Sequence, residues 1–372
     1  MPDVARRARC KLVLLCLAFS LTQPIQAIGG EWAGLTASEP SRFALSLELE
    51  SVNDSVEYTP NLPSGGFAEP QEKPRFHANK LKLSFAPPGA NKFYASISQR
   101  QLTSLRDAFV VNQVRAGLQR RLPAFKSPQY KLAVGVDAMF NYASELYKNS
   151  YTDYDDQLIT EVRLIEPRDT RLSAQAQLGI SLPQQIKVHF ELFGGFSHTS
   201  QKSVKGASRL SNQCNYEFNA TESGGSVHQL GQCGQVVSFK QTYPNDAALN
   251  NRLGFSVAKD VSYRDYFLGT GVSLGWSIGP VLLNTGYQFR QYFRPTIDDR
   301  IRAAGGAPVT RSHNAFASTS VTLFTHWQVN VNATYQSAAF LDDIPFLYTA
   351  LTHQRYSGKG VIRYALSLVR FF

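Results

Sequence analysis

From Phe43 to its last residue the chain alternates, again and again, between apolar side chains and small or polar ones. Phe43, Leu45, Leu47 and Leu49 make one apolar row, and Leu81, Leu83 and Phe85 another. Tyr130, Leu132, Val134, Val136, Ala138, Phe140 and Tyr142 make a longer one with an aromatic at each end. Clear rows also run through 172–182, 186–192, 266–278, 281–293 and 327–335, and weaker ones through 93–100, 110–121, 158–165, 236–243, 249–258 and 315–325. The chain stops on VIRYALSLVRFF, in which Ile362, Tyr364, Leu366, Leu368 and Phe372 share one parity. A period of two puts each row on one face of a strand. No convincing helical period interrupts the series.

The residues between the apolar ones decide which solvents the two faces meet. On 265–279 they include Gly269, Gly271, Ser273, Gly275 and Ser277; on 326–337 they include Gln328, Asn330, Asn332, Thr334 and Gln336. That face looks into water or a polar lumen. Strands of a soluble sandwich average about five or six residues, and these rows are longer. Tilted membrane strands need ~9–11 residues and carry aromatic girdles at both interfaces. The pattern therefore predicts an all-β fold: a transmembrane antiparallel up-and-down β-barrel of about 14 strands, within a range of about 12–16. Pro87-Pro88-Gly89, Pro167-Arg168-Asp169, Pro183-Gln184, Gly279-Pro280 and the step at His326 read as short turns. The connections 51–75, 199–235, 294–312 and 338–357 read as long polar loops.

The N-terminus sets the compartment. Arg6, Arg7, Arg9 and Lys11 precede an apolar run from Leu12 to Leu21, with small Ala27 beyond it. This is the layout of a secretory signal peptide, too short to span a bilayer as a helix. Residues 1–27 are expected to be cleaved, 28–42 to form an extension or a plug, and 43–372 to form the barrel. Cys214 and Cys233 then remain, in a polar Gly/Ser-rich stretch, and in an exported protein they read as a disulfide. Only His228 lies between them, too few ligands for zinc. No metal or other cofactor is implied. The formal net charge of +10 is spread over alternating strands instead of gathered in a patch, which argues against nucleic-acid binding.

With its signal peptide, its alternating segments and its YALSLVRFF ending, the chain resembles the Gram-negative outer-membrane β-barrel proteins. The resemblance is architectural, covers roughly residues 43–372 and points to no single functional family. It implies location in the outer membrane, contact with its lipid and lipopolysaccharide, and a final strand read by the barrel-assembly machinery through Tyr364, Leu366, Leu368 and Phe372. Arg370 departs from the pattern, which usually has an apolar or aromatic residue there; an arginine can snorkel to the interface.

Inward parity on the predicted strands selects Lys80, Lys82, Arg100, Arg115, Arg121, Lys131, Arg163, Arg171, Lys187, Arg290 and Arg363, against Glu48, Asp137, Glu161 and Glu191. Such an excess raises the potential in a pore and favours anions; in a plugged barrel the same groups would pair and fill space. The expected function is a channel or facilitator for small solutes, anionic ones among them. Two alternatives stand beside it. One is a barrel enzyme resembling outer-membrane phospholipase A, with His198 and Ser200 two apart on one face and Asn212 to orient the imidazole, although Gln201-Lys202-Ser203 replaces the Asn-Gly-Arg of that family. The other is a structural or export-linked barrel without a conducting pore.

Overall fold

A computed structural model describes residues 42–52, 75–86, 91–103, 107–123, 129–148, 152–154, 157–209, 214–231, 233, 240–253, 256–303, 306–324, 326–338, 340–352 and 360–372. The expected signal peptide and, except for Arg42, the 28–42 segment fall outside these residues, as does Asn212.

Strands β1 (Arg42–Val52), β2 (Arg75–Ala86), β3 (Asn91–Thr103), β4 (Asp107–Leu122) and β5 (Tyr130–Lys148) run up and down one wall. β6 (Thr152–Tyr154) and β7 (Gln157–Ile165) leave it, and β8 (Arg168–Ser181) and β9 (Ile186–Ser200) rejoin it. β10 (Ser203–Arg209), β11 (Asn215–Thr221), β12 (Gly224–Gln229) and β13 (Lys240–Tyr243) leave again. β14 (Tyr263–Ile278), β15 (Val281–Phe293), β16 (Arg311–Leu323), β17 (Trp327–Gln336) and β18 (Val361–Phe371) complete the wall. β5 pairs with β8, β9 with β14 and β18 with β1, all antiparallel. The ring therefore closes on twelve strands, at the low end of the expected range.

Three of the weaker rows account for the smaller number. The row at 158–165 is β7, which pairs with the end of β5 and with β10 outside the ring. The described part of 236–243 is β13, which pairs with β12. The row at 249–258 is helical in its described parts, in the segments Asp246–Leu253 and Val257–Asp260.

Wall strands are 10 to 19 residues long, enough to cross a bilayer's apolar layer at a tilt. Their outward rows stay exposed: Leu47, Leu49, Ile97, Val136, Leu192, Leu268 and Leu366 form the middle of an apolar belt. Phe43, Phe85, Phe93, Tyr130, Trp276 and Phe372 edge it at one rim, and Phe140, Phe196, Tyr266, Phe293, Tyr335 and Tyr364 at the other. A belt flanked by aromatics is the surface a membrane barrel presents to lipid. The seam is tight. Leu47 pairs with Leu368 and Leu49 with Leu366, and the Phe372 amide donates to the Phe43 carbonyl at 2.9 Å. Arg370 lies between the rings of Phe372 and Trp327, 4.6 and 5.3 Å from their centroids, so its cation rests on aromatic faces at the rim.

The two ends of the barrel differ. Both ends of the described chain, Arg42 and Phe372, lie with the short wall turns 182–185 and 279–280 and with Phe324 and His326. The described parts of the connections 199–235, 294–312 and 338–357 lie at the opposite end. There the outer strands stack on β5 through β7, and Cys214 and Cys233 form a disulfide across the β11–β12 hairpin, Cα to Cα 5.8 Å. The main apolar core also sits at this end, built from Phe76, Phe109, Leu146, Val204, Tyr216, Phe218, Val257, Ile297 and the segment 338–352.

Candidate functional site in the lumen

Residues 338–352 do not extend outward as the long polar loop the sequence predicts. Phe340, Leu341, Ile344, Phe346, Leu347, Tyr348 and Leu351 are all buried. The apolar spacing in AAFLDDIPFLYTAL carries that signal, but it has no period of two and sits between strands. Phe340 begins a tight turn at φ 60°, a left-handed conformation that costs a bulky residue about 1–3 kcal/mol. Its ring packs on Phe76 at 5.0 Å and edge-on to Phe109 at 6.5 Å. The turn closes through hydrogen bonds from the Asp343 and Ile344 amides to the Phe340 carbonyl, 3.0 and 2.7 Å.

Wall side chains satisfy the segment's backbone, as burial requires. Asn141 donates to the Asp343 carbonyl at 2.7 Å and Tyr263 to that of Pro345 at 2.7 Å. Lys148 donates to the Leu351 carbonyl at 2.9 Å, and the Phe346 amide donates to the Asp169 carboxylate at 3.0 Å. Tyr348 donates to Asp298 at 2.9 Å, which ties the segment to the helix Pro295–Ala303.

The turn carries Asp342 and Asp343 into a ring of arginines. Arg290 of β15 donates to Asp342 at 2.8 Å, and Tyr292, Ser312 and Asn314 also donate to that carboxylate. Arg171 of β8 donates to the Asp342 carbonyl. Arg363 of β18 pairs with Asp343, with Glu50 3.4 Å away, and Arg100 of β3 lies 3.9 Å from Asp343. Burial raises the Asp343 pKa, but Arg363 and Arg100 outweigh it and hold the carboxyl well below the usual range.

Directly against this turn lies a polar cavity of about 210 Å³, lined by Lys80, Lys82, Arg115, Asp137, Glu191 and Gln288 among others. Lys80 lies 4.0 Å from Glu48, and Lys82 sits over the Tyr94 ring at 5.5 Å. Tyr94 donates to Asp137, which also accepts from Arg115 at 2.8 Å. A Cβ at Gly117 would collide with the Tyr94 ring, so the missing side chain is what lets the tyrosine lie across β4. Glu191 accepts from Gln288 at 2.8 Å.

The inward set of the sequence reading thus divides. Lys80, Lys82, Arg100, Arg115, Arg171, Arg290 and Arg363 line one cavity. Arg121, Lys131 and Lys187 lie toward the short-turn mouth, with Arg121 opposite Ala133, Lys131 opposite Gly179 and Lys187 opposite Ser181. Arg163 is a correction. Because β7 lies outside the ring, Arg163 is exposed and pairs with Glu161 at 2.6 Å and Glu145 at 3.3 Å. Glu161 leaves the lumen list with it. Glu50 joins the lumen set, and so do Asp342 and Asp343, which no alternating row marks because they lie between strands.

His198 and Ser200 both point outward near the long-loop rim, His198 exposed. Ser200 accepts a hydrogen bond from Arg168 at 3.1 Å; among the described residues none joins it to His198.

No family model matches the chain, and no curated protein matches it. Among solved structures, the translocator domain of the autotransporter NalP from Neisseria meningitidis is similar at 8% identity and TM-score 0.47, covering 90% of this chain and 88% of that one. An outer membrane channel from Pseudomonas putida F1 is similar at 12% identity and TM-score 0.43, covering 93% and 100%. The NanC porin is similar at 8% identity and TM-score 0.40, covering 87% and 98%. These neighbours are outer-membrane β-barrels. Each likeness is too distant to bear on what this barrel carries.

Proposed function

We propose that the protein is an outer-membrane channel for small polar solutes, with a preference for anions, and that the turn at Asp342 and Asp343 is its constriction. The observation that carries this reading is the charged cavity of about 210 Å³ inside a closed wall, bounded by an inward-folded segment. A barrel with a purely structural task could fill its interior with packed side chains at less electrostatic cost. On the wall, the basic groups of the cavity face Glu48, Glu50, Asp137 and Glu191; the two aspartates of the turn supply much of the remaining counter-charge. The wall itself is therefore cationic, and in a narrow low-dielectric passage such a field draws in anions. On this reading residues 1–27 direct export, lipid and lipopolysaccharide surround the belt, and the assembly machinery reads the strand that ends at Phe372.

Reconstitution in planar bilayers tests the reading. Wild type should conduct with a reversal potential favouring chloride over potassium. Lys80→Glu with Lys82→Glu should move that potential toward cations while the barrel still assembles. Folded protein that passes no current would overturn the channel. Lipase activity in that protein would favour the outward His198–Ser200 pair instead.

A further inference from the structure

We propose that Arg100, Arg171, Arg290 and Arg363 form a binding site for a small dicarboxylate solute, which Asp342 and Asp343 occupy from within the chain as competing carboxylates. This deepens the channel reading, and rests on it, by naming the solute class of the same lumen.

The four guanidiniums come from separate strands, β3, β8, β15 and β18, and converge on one turn. Arg100, Arg171 and Arg363 are more than nine-tenths buried, at 7%, 6% and 6% exposure. Arginine keeps its charge in any such setting and has only donors to offer. The two aspartates do not use them all. Nε and Nη1 of Arg100, Nε and Nη2 of Arg171, Nε of Arg290, and Nε and Nη2 of Arg363 are enclosed without an acceptor among the described residues. A buried donor left unmet is costly; Glu50, Asn314 and Gln336 on the same cavity also hold an enclosed unmatched oxygen, but none of these meets the seven nitrogens, so the cluster can still take an acceptor from a solute.

The supports of the cluster favour recognition over space-filling. Arg171 lies 5.0 Å from the Phe267 centroid, and Arg290 lies 4.9 and 5.1 Å from those of Phe267 and Phe193. Aromatic faces hold a guanidinium plane in place while leaving its N–H edge free. That edge matches the two oxygens of a carboxylate, and carboxylates are what the turn presents to it. Two neighbouring aspartates imply a solute with two such groups. The cavity, at about 210 Å³, falls below the ~300 Å³ lower end of pockets for larger ligands, so the solute is small.

The test is calorimetric titration of refolded full-length protein in detergent with succinate as the probe. Wild type should bind weakly, because the chain's own carboxylates compete. The double variant Asp342→Asn, Asp343→Asn should bind at least tenfold tighter, and adding Arg100→Gln and Arg363→Gln should remove that gain. Neutral succinamide should bind none of them. If the double variant fails to give a folded barrel, Arg100→Gln alone in the wild-type chain should weaken succinate at least tenfold. The proposal is overturned if the double variant binds no tighter than wild type, if Arg100→Gln leaves affinity unchanged, or if succinamide, phosphate or chloride binds as well as succinate. The readout does not depend on current. Binding without conductance would sink the channel and keep the site, and conductance without binding would do the reverse.

Discussion

Arg290 on β15 and Asp342 in the inward segment form an ion pair of 2.8 Å, with their side chains only 13% and 6% exposed. Both charges have left water to make it, so neither is easily left alone. Breaking one partner of a buried pair costs about 3–5 kcal/mol, whereas replacing both with apolar groups costs far less. Arg290→Ala and Asp342→Ala should each loosen the segment, and the double change should loosen it less than the two effects summed. Hydrogen exchange of the 340–352 amides reads this directly. Strict additivity would show that the pair does not hold the turn.

On the closing strand, Leu366 faces outward at 51% exposure, while Ser367 is buried in the lumen and accepts from Asn330 at 3.0 Å. Leu366→Arg should cost about 2–4 kcal/mol in folding into bilayers, since it sets a cation against lipid near the midplane. Ser367→Arg adds a charge to a lumen that already holds several and should be far milder. Equal losses would contradict the assignment of faces.

The lipid-facing rows were legible because membrane strands repeat one rule over ten or more residues, and every strong row became a wall strand. The weak rows show where that rule stops being diagnostic. Residues 158–165 alternate because β7 also has one buried and one exposed face, although it meets β10 instead of lipid. The Pro167 step was legible as a tight turn, but it links β7 to β8 at the long-loop end. That step is what defeats a simple count of alternating loop sides. Segment 338–352 was hidden for a different reason: its apolar residues meet a closed interior, and nothing local says that the barrel's own lumen is that interior. Which arginines would converge at Asp342 and Asp343 depends on ring closure, a relation between residues hundreds of positions apart.

Asp343 also sets a pH expectation. Burial works against its charge, yet Arg363 and Arg100 hold its carboxyl well below the usual range. A depressed carboxylate pKa contributes stability that is present above the free value of about 3.9 and is lost only as pH falls through the lower, folded value. Its hold on the turn should therefore persist from pH 8 down to about 4. The Asp343 carboxyl signal, assigned by its loss in Asp343→Asn, should show no titration across that window. Titration between pH 6 and 5 would show that Asp343 is not the group pinned by Arg363.

Single-channel recording is the sharpest check that this wall encloses a conducting path narrowed by the Asp342–Asp343 turn. Wild-type protein and the Asp342→Asn, Asp343→Asn variant would be reconstituted in the same bilayer and salt. Wild type should give small anion-selective steps. The variant should give larger ones, still anion-selective, because the wall arginines keep their charge while the turn loses its anchor. No current from either folded protein, or steps of equal size from both, would rule out a path narrowed by this turn.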